Sequence, residues 1–137
     1  MKKIILILFL ITNFSCFLNP VGPAITELNK EFDLKYWQNA VVGEEGLYIT
    51  FKDVVEDSRC PIGYECFWAG NGAVLLKVEK KNDPVLIDTL NTILEPHALN
   101  YLNYQITLKN LKPYPVADSL IMKKNYVVTL LVEKILR

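Results

Sequence analysis

Beyond Leu34 the chain alternates apolar and polar residues with a period of two, the spacing of strands that bury one face and wet the other. The clearest run is Tyr101–Leu111. Leu102, Tyr104, Ile106 and Leu108 fall on one side of it, and Asn103, Gln105, Thr107 and Lys109 on the other. Asn125–Ile135 behaves similarly, with Tyr126, Val128, Leu130 and Val132 on one face. Its second face (Val127, Thr129, Leu131, Glu133) is less polar, which predicts a central or partly covered strand. Leu47, Ile49 and Phe51 alternate with Tyr48, Thr50 and Lys52, and Val74, Leu76 and Val78 with Leu75, Lys77 and Glu79. Leu34–Val42 and Pro84–Leu90 give weaker strand signals.

Turn residues separate these runs. Gly43-Glu44-Glu45-Gly46 is expected to close the first pair of strands and Lys81-Asn82-Asp83-Pro84 the next. Pro113 and Pro115 end the long strand before them, because proline cannot donate to a central ladder. Helical periodicity is confined to single turns near Ala24–Lys30, Ile93–Asn100 and Asp118–Met122. About six or seven short strands without a long helix predict an all-β fold, either an antiparallel two-sheet sandwich of Greek-key or Ig-like kind or an open barrel.

The first residues follow a different grammar. Met1-Lys2-Lys3 is a short basic head, Ile4–Ile11 an apolar run, and Thr12-Asn13-Phe14-Ser15-Cys16 a close with a small residue before a cysteine. The run is too short for a membrane span, which needs about 20 apolar residues, and the order is that of an export signal. With the cysteine directly after Ser15 it resembles a bacterial lipoprotein signal. That resemblance implies cleavage before Cys16 and a diacylglycerol on its thiol, which would tie the protein to a membrane of the cell envelope. Phe17, standing where an Asp would retain a lipoprotein at the inner membrane of enteric bacteria, implies the outer one. The expected division is therefore signal 1–15, lipidated Cys16 with a flexible tether to residue 33, and one β domain over 34–137.

Composition narrows the partners. The 137 residues carry 15 basic and 15 acidic side chains, and losing Lys2 and Lys3 with the signal would leave a slight acidic excess. The remaining lysines are scattered, so no nucleic-acid surface is expected. Removing Cys16 from the account leaves Cys60 and Cys66, an even pair in an exported chain, which predicts one disulfide. Two thiols with the single histidine, His97, make a poor zinc set.

Between two strands lies Glu56-Asp57-Ser58-Arg59-Cys60-Pro61-Ile62-Gly63-Tyr64-Glu65-Cys66-Phe67-Trp68-Ala69-Gly70-Asn71-Gly72. It resembles a group of small bacterial exported proteins and lipoproteins carrying Asp-Ser-Arg-Cys-Pro, four residues, then Cys-x-Trp-Ala-Gly. The likeness extends weakly over most of 34–136 and implies a β-rich domain outside the cytoplasm, without implying an activity. On physical grounds the Cys60–Cys66 bridge would pinch this crossover, Arg59 is placed to fork onto a neighbouring carboxylate such as Asp57, and in extended chain Trp68 would share a face with Cys66 and cap the core. Ala69 and Gly70 would let another segment approach closely. Two roles follow for Asp57, Arg59, Tyr64, Phe67 and Trp68: a structural clasp joining the sheets, or a patch that meets a partner, since aromatics and arginine dominate binding hot spots.

Catalytic patterns are thin. His97 lies in Glu95-Pro96-His97-Ala98 with no companion, and Ser58 and Ser119 stand outside any Gly-x-Ser-x-Gly turn. Asp53, Glu56, Asp57 and Glu65 could attract calcium, but Lys52 and Arg59 sit among them. The sequence therefore predicts no enzyme, cofactor or metal. It predicts a lipid-anchored binding or structural module whose partners are the membrane, through Cys16, and an envelope protein or ligand. The alternatives are a protease inhibitor presenting the Cys60–Cys66 loop and a weak hydrolase or calcium-binding domain.

Overall fold

The computed structural model describes residues 22–136. Nine strands form two sheets: β1 Ala24–Thr26, β2 Glu31–Lys35, β3 Asn39–Val42, β4 Leu47–Asp57, β5 Gly72–Glu79, β6 Leu86–Asn91, β7 Ala98–Tyr101, β8 Tyr104–Lys112 and β9 Val127–Lys134. One sheet has the order β1-β3-β4-β5-β6 and the other β2-β9-β8-β7. All pairings are antiparallel except β1 with β3. The second sheet sets its first strand, β2, beside its last, β9. The two sheets do not close into a barrel, so the molecule takes the sandwich of the two expected forms.

Alternation decides which residues meet between the sheets. Leu47, Ile49 and Phe51 from β4, Val74, Leu76 and Val78 from β5, and Tyr104, Ile106 and Leu108 from β8 are buried in one core with Val128, Leu130 and Val132 from β9. Thr129 on the second face of β9 is buried as well, as its central place between β2 and β8 requires.

Four expectations about elements are corrected. The Tyr101–Leu111 run is a hairpin: Leu102 and Asn103 form a two-residue turn between Tyr101 and Tyr104, and Leu102 is exposed with φ 54°. Leu34–Val42 is likewise broken, because Tyr36–Gln38 carries the chain from one sheet to the other and Trp37 takes φ 62°. The expected helical turns near Ala24, Ile93 and Asp118 are not helical, and the one short helix among the described residues is a 3-10 turn at Lys123–Asn125. Residues 22–33, expected as tether, hold β1 and the start of β2. Leu28 packs on the core and the Asn29 N–H donates to the Val132 carbonyl at 2.8 Å. Segments of three and five residues are too short to display a period. The expected signal, Cys16 and residues 17–21 lie outside the described residues, and no helix among those described is long and apolar enough to cross a membrane.

Candidate functional site

β4 ends and β5 begins at one end of the sandwich, and the Asp57–Gly72 segment between them is folded back on itself. The Ser58 N–H donates to the Asn71 carbonyl at 2.7 Å and the Cys60 N–H to the Ala69 carbonyl at 2.9 Å. This close approach explains Gly70, which has φ 73° and whose replacement Cβ would lie 1.8 Å from the Ser58 carbonyl oxygen. The Cys60–Cys66 disulfide closes the tip, with Cα atoms 5.9 Å apart.

Arg59 is the hub beneath that tip and is 5% exposed. Its Nε and Nη2 each donate to one Asp57 carboxylate oxygen at 2.7 Å, the bidentate fork. Nη1 donates to the Leu111 carbonyl and Nη2 to the Pro113 carbonyl at 2.9 Å, tying β4's end to the end of β8 in the other sheet. The Tyr114 ring lies 5.0 Å from the guanidinium carbon. The Tyr126 hydroxyl donates to Asp57 Oδ2 at 2.8 Å, so the following strand is tied in as well. Burial pushes the Asp57 carboxyl up, but hydrogen bonds from Arg59 and Tyr126, with the Arg59 charge, hold it below its ordinary value. Burial and the same carboxylate push the Tyr126 hydroxyl up to about 12.

Asn71 supplies a second tie. Its side-chain NH2 donates to Asn91 Oδ1 at 2.9 Å, and its Oδ1 accepts from the Ile93 N–H at 3.2 Å. The tip itself rests on the loop after β8. The Ile62 N–H donates to the Pro115 carbonyl, the Ala117 N–H donates to the Ile62 carbonyl, both at 2.9 Å, and the Tyr64 hydroxyl donates to Asp118 Oδ1 at 3.0 Å.

The five residues singled out in the sequence therefore divide. Asp57 and Arg59 are joined inside, while Tyr64, Phe67 and Trp68 project to solvent. Trp68 does not cap the core and is 56% exposed. The chain bends at Phe67–Trp68, so the extended alternation that would have placed it with Cys66 does not hold. Ile62, Val116 and Leu120 are exposed in the same two loops. At the base of the loop lies a cavity of about 150 Å³ whose lining includes Arg59, Ala69, Ile93, Leu108 and Tyr114.

The acidic residues around the tip do not converge. Asp53 pairs with Lys123 at 2.8 Å, Asp57 with Arg59, and Glu56 accepts from the Ser58 hydroxyl. Among the described residues no group of three His, Cys, Asp or Glu side chains could hold a metal ion. His97 lies just ahead of β7, where its Nδ1 is 2.8 Å from the Asn91 carbonyl. Asn71, Tyr114 and Tyr126 were missed in the sequence. No local pattern marks them, because Tyr126 meets Asp57 across 69 residues and Asn71 meets Asn91 across 20.

No protein-family model, curated protein or solved structure matches the chain.

Proposed function

We propose that this protein is a lipid-anchored, non-catalytic module of the cell envelope that docks a partner protein through the aromatic tip of its Cys60–Cys66 loop. The observation that carries this reading is the division of the motif into a buried base and an exposed crown. Asp57 and Arg59 lock the loop to both sheets, and Tyr64, Phe67 and Trp68 stand outside that lock with ring surface that contributes nothing to the core. Aromatic side chains on a base that does not have to be ordered on binding are the economical way to gain affinity. The adjoining cavity is below the roughly 300–1,000 Å³ of small-molecule sites and has room for one side chain of a partner.

The inhibitor alternative is less well supported. The Ile62 N–H and carbonyl are both engaged by the Pro115–Ala117 segment, so this residue of the loop has no free backbone edge to pair in an enzyme cleft. Export and lipidation rest on the N-terminal residues and on the resemblance of the Asp57–Gly70 motif to exported proteins.

Substitution separates base from crown. Arg59→Met should cost about 3–5 kcal/mol of stability, since it leaves the Asp57 carboxylate buried without its partner. Phe67→Ala with Trp68→Ala should stay within about 0.5 kcal/mol of the parent, as exposed substitutions do, yet lose capture of the partner from envelope membranes. A double variant that unfolds, or that binds as the parent does, contradicts the proposal.

A further inference from the structure

The outer faces of the two sheets differ in chemistry. On the outer face of the four-stranded sheet each apolar residue of β9 stands between polar ones, Leu131 between Glu31 and Thr107 and Val127 between Lys35 and Lys112, and Glu133 pairs with Gln105. On the five-stranded sheet the inward rows are Ala40–Ile49–Val78 and Phe51–Leu76, all buried. Alternation then turns the intervening rows outward: Ile25–Val41–Tyr48–Glu79 and Asn39–Thr50–Lys77–Ile87. Ile25 is 89% exposed, and Tyr48 and Ile87 are exposed too. Trp37, also exposed, is covered on one side by the Lys52 ammonium, 3.6 Å from the ring centroid. The one acid in these two rows, Glu79, is paired with Lys77 at 2.8 Å, so no free carboxylate within them would repel a phosphate layer.

The position of this face relative to Cys16 bears on what covers it. β1, which carries Ile25, is the edge of this sheet, and Cys16 precedes Ala24 by eight residues. Eight residues reach at most about 29 Å when fully extended, and the five strands span only about 19 Å. A lipid on Cys16 would therefore hold the bilayer within about one and a half sheet widths of Ile25. Tryptophan, tyrosine and lysine beside aliphatic residues is the composition of protein surfaces that sit at the lipid headgroup level.

We infer that the outer face of the five-stranded sheet rests on the phospholipid bilayer that holds the anchor, with Ile25, Trp37, Tyr48 and Ile87 entering its interfacial layer. This rests on the lipid anchor proposed above. It lays the strands along the membrane plane and points the aromatic tip sideways, toward a partner close to the same membrane.

The chain's two tryptophans make the test direct, because Trp37 lies in the crossover leading into β3, with its ring against Lys52 of β4, and Trp68 in the tip. The full lipidated protein is reconstituted into phosphatidylcholine–phosphatidylglycerol vesicles containing brominated phosphatidylcholine, which quenches indole emission at the interface. With Trp68→Phe, leaving Trp37 as reporter, emission should fall about twofold or more; with Trp37→Phe, leaving Trp68, it should change little. Adding Ile25→Asp and Ile87→Asp to the first variant should relieve the quenching while the protein stays on the vesicles. Retention with Trp37 unquenched, or with Trp68 quenched more strongly, overturns this orientation and spares the anchor. Failure of the lipid-modified chain to be made, or to float with vesicles, overturns the anchor and this inference together.

Discussion

Arg59 and Asp57 are two residues apart, but their contribution reaches three strands. The fork, the carbonyls of Leu111 and Pro113, and the Tyr126 hydroxyl make one network in which every donor and acceptor faces a partner. Such networks are favourable only when complete, which gives this one a pH signature with two limbs. The Asp57 carboxyl is held below its ordinary value, so its stabilising share is fully present above about pH 4 and is lost as pH falls through the lowered value. Glu45, held down to about 2 by Lys134, Tyr104 and Lys80 at the opposite end, loses its share in the same direction. The Tyr126 hydroxyl, raised to about 12, stabilises fully below about pH 10 and loses its share as pH climbs toward 12. Thermal unfolding across pH should therefore show a plateau with both limbs. Asp57→Asn should lower the plateau and flatten the acid limb in part, and Tyr126→Phe should soften the alkaline one. Of this network only the fork was legible in the sequence. The carbonyls that complete it belong to Leu111 and Pro113, residues whose side chains announce nothing about their backbones.

The crossover between β4 and β5 takes its shape from three constraints: the disulfide, the glycine at position 70 and the Arg59 hub. The disulfide closes a short loop, and on chain entropy it should contribute about 2–2.5 kcal/mol through the unfolded state. Replacing Cys60 and Cys66 by serine should lower stability by about that amount in denaturant titration, while the sandwich survives on its core. Loss of all tertiary structure would show that the core alone does not hold the sandwich. At this scale the sequence was readable where strands were long. β4, β5, β8 and β9 show their alternation over eight or more residues. β1 and β2 did not, and the hairpin at Leu102–Asn103 was hidden because Leu102 continues the apolar rhythm into a turn that leaves it exposed. The bend at Phe67–Trp68 defeated the placement of Trp68 for a related reason: periodicity presumes an extended chain, and a disulfide loop is not one.

At the scale of the molecule, the two ends of the sandwich are built differently. One end gathers ions around Glu45, with Lys80 at 3.0 Å and Lys134 at 2.7 Å. The other buries its ion pair and leaves Tyr64, Phe67 and Trp68 outside. The proposed docking role stands on that polarity. Site-specific photo-crosslinking in intact cells measures it most directly, with the crosslinker placed at position 67 in the tip or at position 44 in the Gly43–Gly46 turn of the opposite end. The proposal requires a protein adduct of one defined mass from position 67, weakened by Trp68→Ala, and none from position 44. Equal labelling from both positions, or no adduct from the tip, would contradict it.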